Sequence, residues 1–196
     1  MTVSTIAGPA AGAIALLGFV PYLRSAVNGT TRPNRASWWI WTVVGGLLCA
    51  SYRTLGAREA IWVSISYVVG PLLTALVSVR YGEGGWGRLE RACLAGAGVT
   101  LGLWWISGSP ALALFLNVLL DACGAVPTVV KTWRDPASED LLSWSLFLTG
   151  NTLNLLAVPA WTLTGAAYPL YLFAVAATVV GLSLRGRRRV EAASEE

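Results

Sequence analysis

Apolar and polar positions divide the chain into long apolar runs separated by short polar interruptions. The runs lie near Ser4–Leu23, Trp38–Tyr52, Ala60–Val79, Ala92–Ile106, Pro110–Val130, Leu141–Trp161 and Ala166–Leu184. A helix that crosses a bilayer needs roughly 17–25 mainly apolar residues, so each run predicts a membrane helix, the second and fourth being short. Connections such as "NGTTRPNRAS", "YGEGGWGR" and "RDPASED" are rich in turn formers. The expected fold class is an all-α integral membrane protein with seven transmembrane helices.

Composition strengthens this reading. The chain is 55% hydrophobic and 12% charged, with a mean hydropathy of +0.61, whereas a soluble domain carries about 25% charged residues. Ten tryptophans point the same way, because Trp gathers at membrane interfaces. Histidine is absent, which removes the commonest general base and the commonest metal ligand. Cys49, Cys93 and Cys123 are isolated in apolar runs and read as free thiols, with no disulfide or zinc spacing. No nucleophile–base pair or metal cluster is visible, so neither enzyme activity nor a cofactor is expected, and nothing suggests nucleic-acid binding. A secretory signal is not expected either, because no basic residue precedes the first apolar run. The bias to arginine, alanine, glycine and valine suggests a GC-rich bacterial genome and hence the bacterial inner membrane.

Basic residues give a direction. With seven spans, one face takes Arg24, Arg32, Arg35, Arg80, Arg88, Arg91, Lys131, Arg134, Arg185, Arg187, Arg188 and Arg189, leaving Arg53 and Arg58 for the other. Positive residues mark the cytoplasmic side, so the N-terminus is expected outside and the C-terminus inside. "RGRRRVEAASEE" then reads as a cytoplasmic basic collar and polar tail.

A shift of 106 residues lays "GAVPTVVKTWRDPASEDLLSW" over "GFVPYLRSAVNGTTRPNRASW" without a gap. Gly18, Val20, Pro21, Ser37 and Trp38 fall on Gly124, Val126, Pro127, Ser143 and Trp144. The unit is three helices, repeated after one connecting helix. The expected division is 1–82 for the first triplet, 83–108 for the linker helix, 109–185 for the second triplet and 186–196 for the tail. The odd linker lets both triplets start on the same side, as the charges require. Parallel repeats of this kind occur in transporters, with the solute site near mid-bilayer at the repeat interface.

These residues resemble the SWEET and PQ-loop superfamily of seven-helix transporters. The stretch "VPTVVKTWRDPASEDLLSWSLFLTGNTLNLL" carries the likeness best: a proline near the inner end of one helix, a basic residue, a short Ser/acid loop, and a Ser-bearing start to the next helix. The resemblance implies the 3 + 1 + 3 fold, alternating access and a small solute, with Pro21 and Pro127 as gating hinges. It covers essentially the whole chain. Tyr22 and Thr128 stand where the Pro-Gln pair has glutamine. Ser66, Tyr67 and Phe173 stand in the third helices, where sugar carriers of the family have asparagine. Trp38 and Trp144 begin helices on the inner face and read as interface anchors or gate residues.

Asp121 is the one deep acidic residue of ten. Counted from Pro110 at 1.5 Å per residue, it lies about 16 Å into a core about 30 Å thick, at a cost of at least ~2.5 kcal/mol. Asn117 lies one turn earlier on the same face, and Asn151 and Asn154 share a face of the sixth helix. The matching first-repeat positions are Ala11, Ala15, Gly45 and Leu48. Asp121, Asn117, Asn151 and Asn154, with Ser66, Tyr67 and Phe173, are therefore the candidate solute site. No basic residue lies deep enough to pair with Asp121, which makes it a candidate carrier of a coupling proton.

The leading expectation is a transporter of a sugar or amino acid, proton-linked through Asp121. The alternatives are a facilitative SWEET-like sugar carrier in which Asp121 only ties helices together, and a non-transporting receptor of the same fold. A retinal protein would need a lysine in the last helix, and Lys131 ends the fifth. The expected partners are a small solute, the lipid bilayer and protons; a homo-oligomer is left open.

Overall fold

A computed structural model of the chain describes residues 3–54, 61–108, 110–158 and 161–194. Seven α-helices follow one another among them: α1 (Val3–Val27), α2 (Arg35–Thr54), α3 (Ile61–Tyr81), α4 (Arg88–Ile106), α5 (Pro110–Arg134), α6 (Leu141–Leu156) and α7 (Leu163–Ser194). A single 3-10 turn, Pro136–Ser138, joins α5 to α6. Each expected run coincides with one helix.

Two boundaries differ from the sequence reading, each for a local reason. α6 stops at Leu156 rather than near Trp161, because Pro159 bars the residue before it from helical geometry. α7 runs on to Ser194 through the basic collar, whose Arg, Glu and Ala are good helix formers.

The repeat is visible in the packing. α3 packs against both α1 and α2, and α7 packs against both α5 and α6. The triplets meet crosswise, α1 on α6 and α2 on α5, while α4 lies mainly against α5. Matching caps start the second helix of each triplet. Asn34 Oδ1 accepts the Ser37 N–H at 3.2 Å and its hydroxyl at 3.4 Å. Asp140 Oδ1 accepts the Ser143 N–H at 2.7 Å and its hydroxyl at 2.6 Å. Such a cap satisfies a helical donor that has no partner inside the helix. The repeated Ser-Trp pair therefore follows a repeated polar cap.

The outer surface is apolar. Leu17, Val20, Val79, Val99 and Leu142 are exposed, an arrangement that suits lipid and is costly in water. Among the described residues three helical stretches are long and apolar enough to cross a membrane: Ala7–Val27, Leu114–Arg134 and Ala166–Arg187. These suggest membrane association. Exposed tryptophans cluster towards both ends of the bundle: Trp86 and Trp133 near the basic loops, Trp105 and Trp161 at the opposite end. Trp38 and Trp144 do not belong to these belts. They are 2% and 4% exposed, in one core cluster with Tyr22, Ala75, Ala176 and Val179, so the interface-anchor reading of both is corrected.

Candidate functional site

Five aromatic side chains close a ring in the middle of the bundle. Centroids are 5.9 Å apart for Phe19 and Trp38, 4.9 Å for Trp38 and Trp41, and 6.3 Å for Trp41 and Trp144. The ring closes through Trp144–Phe147 at 5.6 Å and Phe147–Phe19 at 4.9 Å. The repeat shift of 106 carries Trp38 onto Trp144 and Trp41 onto Phe147. Four of the five rings are thus repeat-equivalent pairs, spaced i and i+3 on one face of α2 and of α6.

The glycine of each Gly-x-Val-Pro motif makes room for this ring. A Cβ at Gly18 on α1 would sit 2.6 Å from Phe147 Cε1, and one at Gly124 on α5 would sit 2.9 Å from Trp41 Nε1. Each repeat's glycine therefore accommodates the aromatic side chain of the other repeat. The crosswise packing of α1 on α6 and α2 on α5 depends on it.

Around the ring lies a cavity of about 120 Å³, lined by residues of α1, α2, α3, α5, α6 and α7 but not α4. Asp121 is the only ionisable carboxylate lining it, and no Lys or Arg does so among the described residues. The Asp121 carboxylate is 4% exposed and accepts three hydrogen bonds. Trp41 Nε1 donates to Oδ1 at 2.7 Å, Tyr171 OH to Oδ1 at 3.0 Å, and Tyr168 OH to Oδ2 at 2.7 Å. These neutral donors offset part of the desolvation of a buried charge. They come from α2 and α7, so Asp121 joins three helices.

Towards the basic end, the cavity floor rests on a polar clasp. The indoles of Trp38 and Trp144 line the cavity while their N–H groups donate to Tyr22 OH at 3.2 Å and Glu139 Oε2 at 2.7 Å. Tyr22 donates to the same Glu139 oxygen at 2.8 Å, and Lys131 Nζ donates to Glu139 Oε1 at 2.5 Å. Lys131 also donates to the Arg32 carbonyl at 2.5 Å, and Thr128 donates to Ser37 Oγ at 2.8 Å. Outside this layer Arg32 pairs with Glu83 and Asp135. The Lys131–Glu139 pair is almost fully buried; three donors on the Glu139 carboxylate and three acceptors around Lys131 Nζ offset its desolvation.

The residues expected at the site divide into two sets. Asp121, Asn151, Tyr67, Trp38 and Trp144 line the cavity. Asn154 and Phe173 are half-buried and do not line it, because the cavity side of α7 is turned towards Tyr168, Leu172 and Val175. Asn117 is 5% exposed on α5 and also lies outside the lining. Asn151 Nδ2 donates to the Leu172 carbonyl at 3.4 Å, and the donors that reach Asp121 are Trp41, Tyr168 and Tyr171. The Ser66 side chain lies outside the described residues. Pro21 and Pro127 both sit inside helices, towards the basic ends of α1 and α5.

Trp41, Tyr168, Tyr171 and the clasp were not read from the sequence. A signal existed for the aromatic ring: "SWWIW" and "SWSLF" repeat an aromatic residue three places after the Ser-Trp tryptophan. Tyr168 and Tyr171 have helical spacing in "YPLY", but only the packing of α7 on α5 shows that they meet Asp121. No protein-family model matches the chain, nor does any curated protein or solved structure.

Proposed function

We propose that the chain is a membrane transporter that carries a small polar solute through the central cavity by alternating access. In this reading all seven helices span the bilayer in a 3 + 1 + 3 arrangement like that of the SWEET and PQ-loop superfamily. The basic end faces the cytoplasm, and no catalytic step is involved. One observation carries the reading: the cavity lies between two repeat-equivalent triplets, excludes the linker helix, and is floored at one end by the clasp. Transporters built from repeats place their solute site at such a junction. Inward opening then requires the clasp to separate, with Pro21 and Pro127 providing the bends, since a helical proline removes one backbone hydrogen bond.

Proton linkage through Asp121 follows from its partners. An indole N–H only donates, so Oδ1 stays an acceptor. A tyrosine hydroxyl donates to a carboxylate or accepts from a carboxylic acid, so the Tyr168 contact at Oδ2 serves both forms. A second reading has one observation in its favour: three donors from α2 and α7 converge on Asp121, as expected for a residue that only ties helices together in a facilitative carrier.

Uptake into proteoliposomes, measured across sugars, amino acids and amines with and without an imposed pH gradient, separates these readings. The proposal expects saturable uptake driven by the gradient. Asp121→Asn should then retain exchange and lose the gradient response. Flux indifferent to pH in the wild-type protein favours the facilitative carrier, and binding without flux favours a receptor.

A further inference from the structure

The cavity combines two features that select the same chemical class. Asp121 supplies the only carboxylate in its lining, with no Lys or Arg lining it among the described residues. Its walls are aromatic, and none of the five contacts in the aromatic ring is stacked flat, their interplanar angles being 69°, 80°, 62°, 89° and 55°. No ring face is therefore sealed by a parallel neighbour. Aromatic faces attract cations through their quadrupole, and cages of such rings bind quaternary ammonium groups.

The hydrogen bonding of Asp121 fits this. An ionised carboxylate offers about four acceptor positions, and three are taken by neutral donors that leave its charge uncompensated. Oδ2 holds one donor, against two on Oδ1. A polyhydroxylated solute would need many polar partners, whereas Asn151 commits one of its amide protons to the Leu172 carbonyl and the remaining lining is mostly apolar. An anion would meet the carboxylate. At about 120 Å³ the space is small beside the 300–1,000 Å³ typical of ligand pockets, so the group it takes is compact.

We infer that the solute is a small organic cation, an amine or methylated ammonium, whose charge sits between Asp121 and the aromatic ring. This rests on the reading of the cavity as the solute site. The test is equilibrium binding to the purified protein in detergent, followed by quenching of tryptophan fluorescence. The probes are choline, tetramethylammonium and 3,3-dimethylbutanol, a neutral isostere of choline.

Choline and tetramethylammonium should bind saturably, and the neutral isostere at least tenfold more weakly. Asp121→Asn should remove that discrimination. Phe147→Leu, which keeps an apolar side chain but deletes a π face, should weaken choline several-fold and the isostere by clearly less. Thermal melts establish that each variant is folded. Equal affinity for choline and its isostere overturns the inference, as does no cation binding by folded wild-type protein. Flux in proteoliposomes keeps the two ideas apart. Choline binding without flux supports the cation class and overturns transport, whereas flux of a neutral solute unaffected by choline does the reverse.

Discussion

Trp41 on α2 donates its indole N–H to Oδ1 of Asp121 on α5 at 2.7 Å, so the first triplet holds the carboxylate that the second contributes to the cavity. Trp41→Phe keeps a ring and deletes that donor. Losing a hydrogen bond to a buried charged group costs about 1–3 kcal/mol, and thermal unfolding in detergent should fall accordingly. In an Asp121→Asn background the same change should cost less, because the charge that the donor stabilised is gone. Full additivity of the two changes would mean that the contact contributes nothing.

The glycine sockets make a steric prediction. Gly18→Ala and Gly124→Ala each push a methyl against Phe147 or Trp41, and overpacking of this kind costs about 1–3 kcal/mol. Gly46→Ala, on the open side of α2 with no atom within 4 Å, should be neutral or stabilising. Unfolding midpoints of the three variants check the pattern. Gly124→Ala should also shift tryptophan emission, since it displaces Trp41.

Breaking the clasp should cost more than either. Lys131→Met leaves Glu139 buried without its cation, and removal of one partner of a buried pair costs about 3–5 kcal/mol. The double change Lys131→Met with Glu139→Gln should recover part of that loss, a comparison readable from melting temperatures. If the clasp closes the cytoplasmic side, the double variant should also exchange solute faster than the wild type.

Pro21→Ala and Pro127→Ala test the hinges. Each restores a backbone donor inside a helix, so both variants should stay folded while flux slows several-fold. Wild-type flux in both would reduce these prolines to static kinks.

Topology is checked by thiol labelling in a background without Cys49, Cys93 and Cys123. A cysteine at Ser107 should react with an impermeant reagent added outside cells, and one at Arg88 should not. Reaction of both from the same side would overturn the seven-span orientation.

The seven helices were legible from the apolar runs, because helix positions depend on local composition. Asp121 was legible too, since a carboxylate in an apolar run is a local anomaly. Its partners were not. Trp41 and Tyr171 lie 80 and 50 residues away, and the sequence does not say which face of α2 or α7 turns towards α5. Tryptophan misled for the same reason: composition cannot tell Trp86, which faces outward, from Trp38, which is buried. Lys131 and Glu139 read as surface charges until the turn Pro136–Ser138 folded one over the other.

The exchange of sockets between repeats also orders events during synthesis. The space beside Gly18 is filled by Phe147, and Trp41 meets both Gly124 and Asp121; Phe147, Gly124 and Asp121 are all made after the whole first triplet. In a nascent chain the groove on α1–α3 and the Trp41 indole therefore lack these partners until α5 and α6 are made. Chains truncated within the linker helix should remain open to protease and to quality control, although they contain one whole repeat.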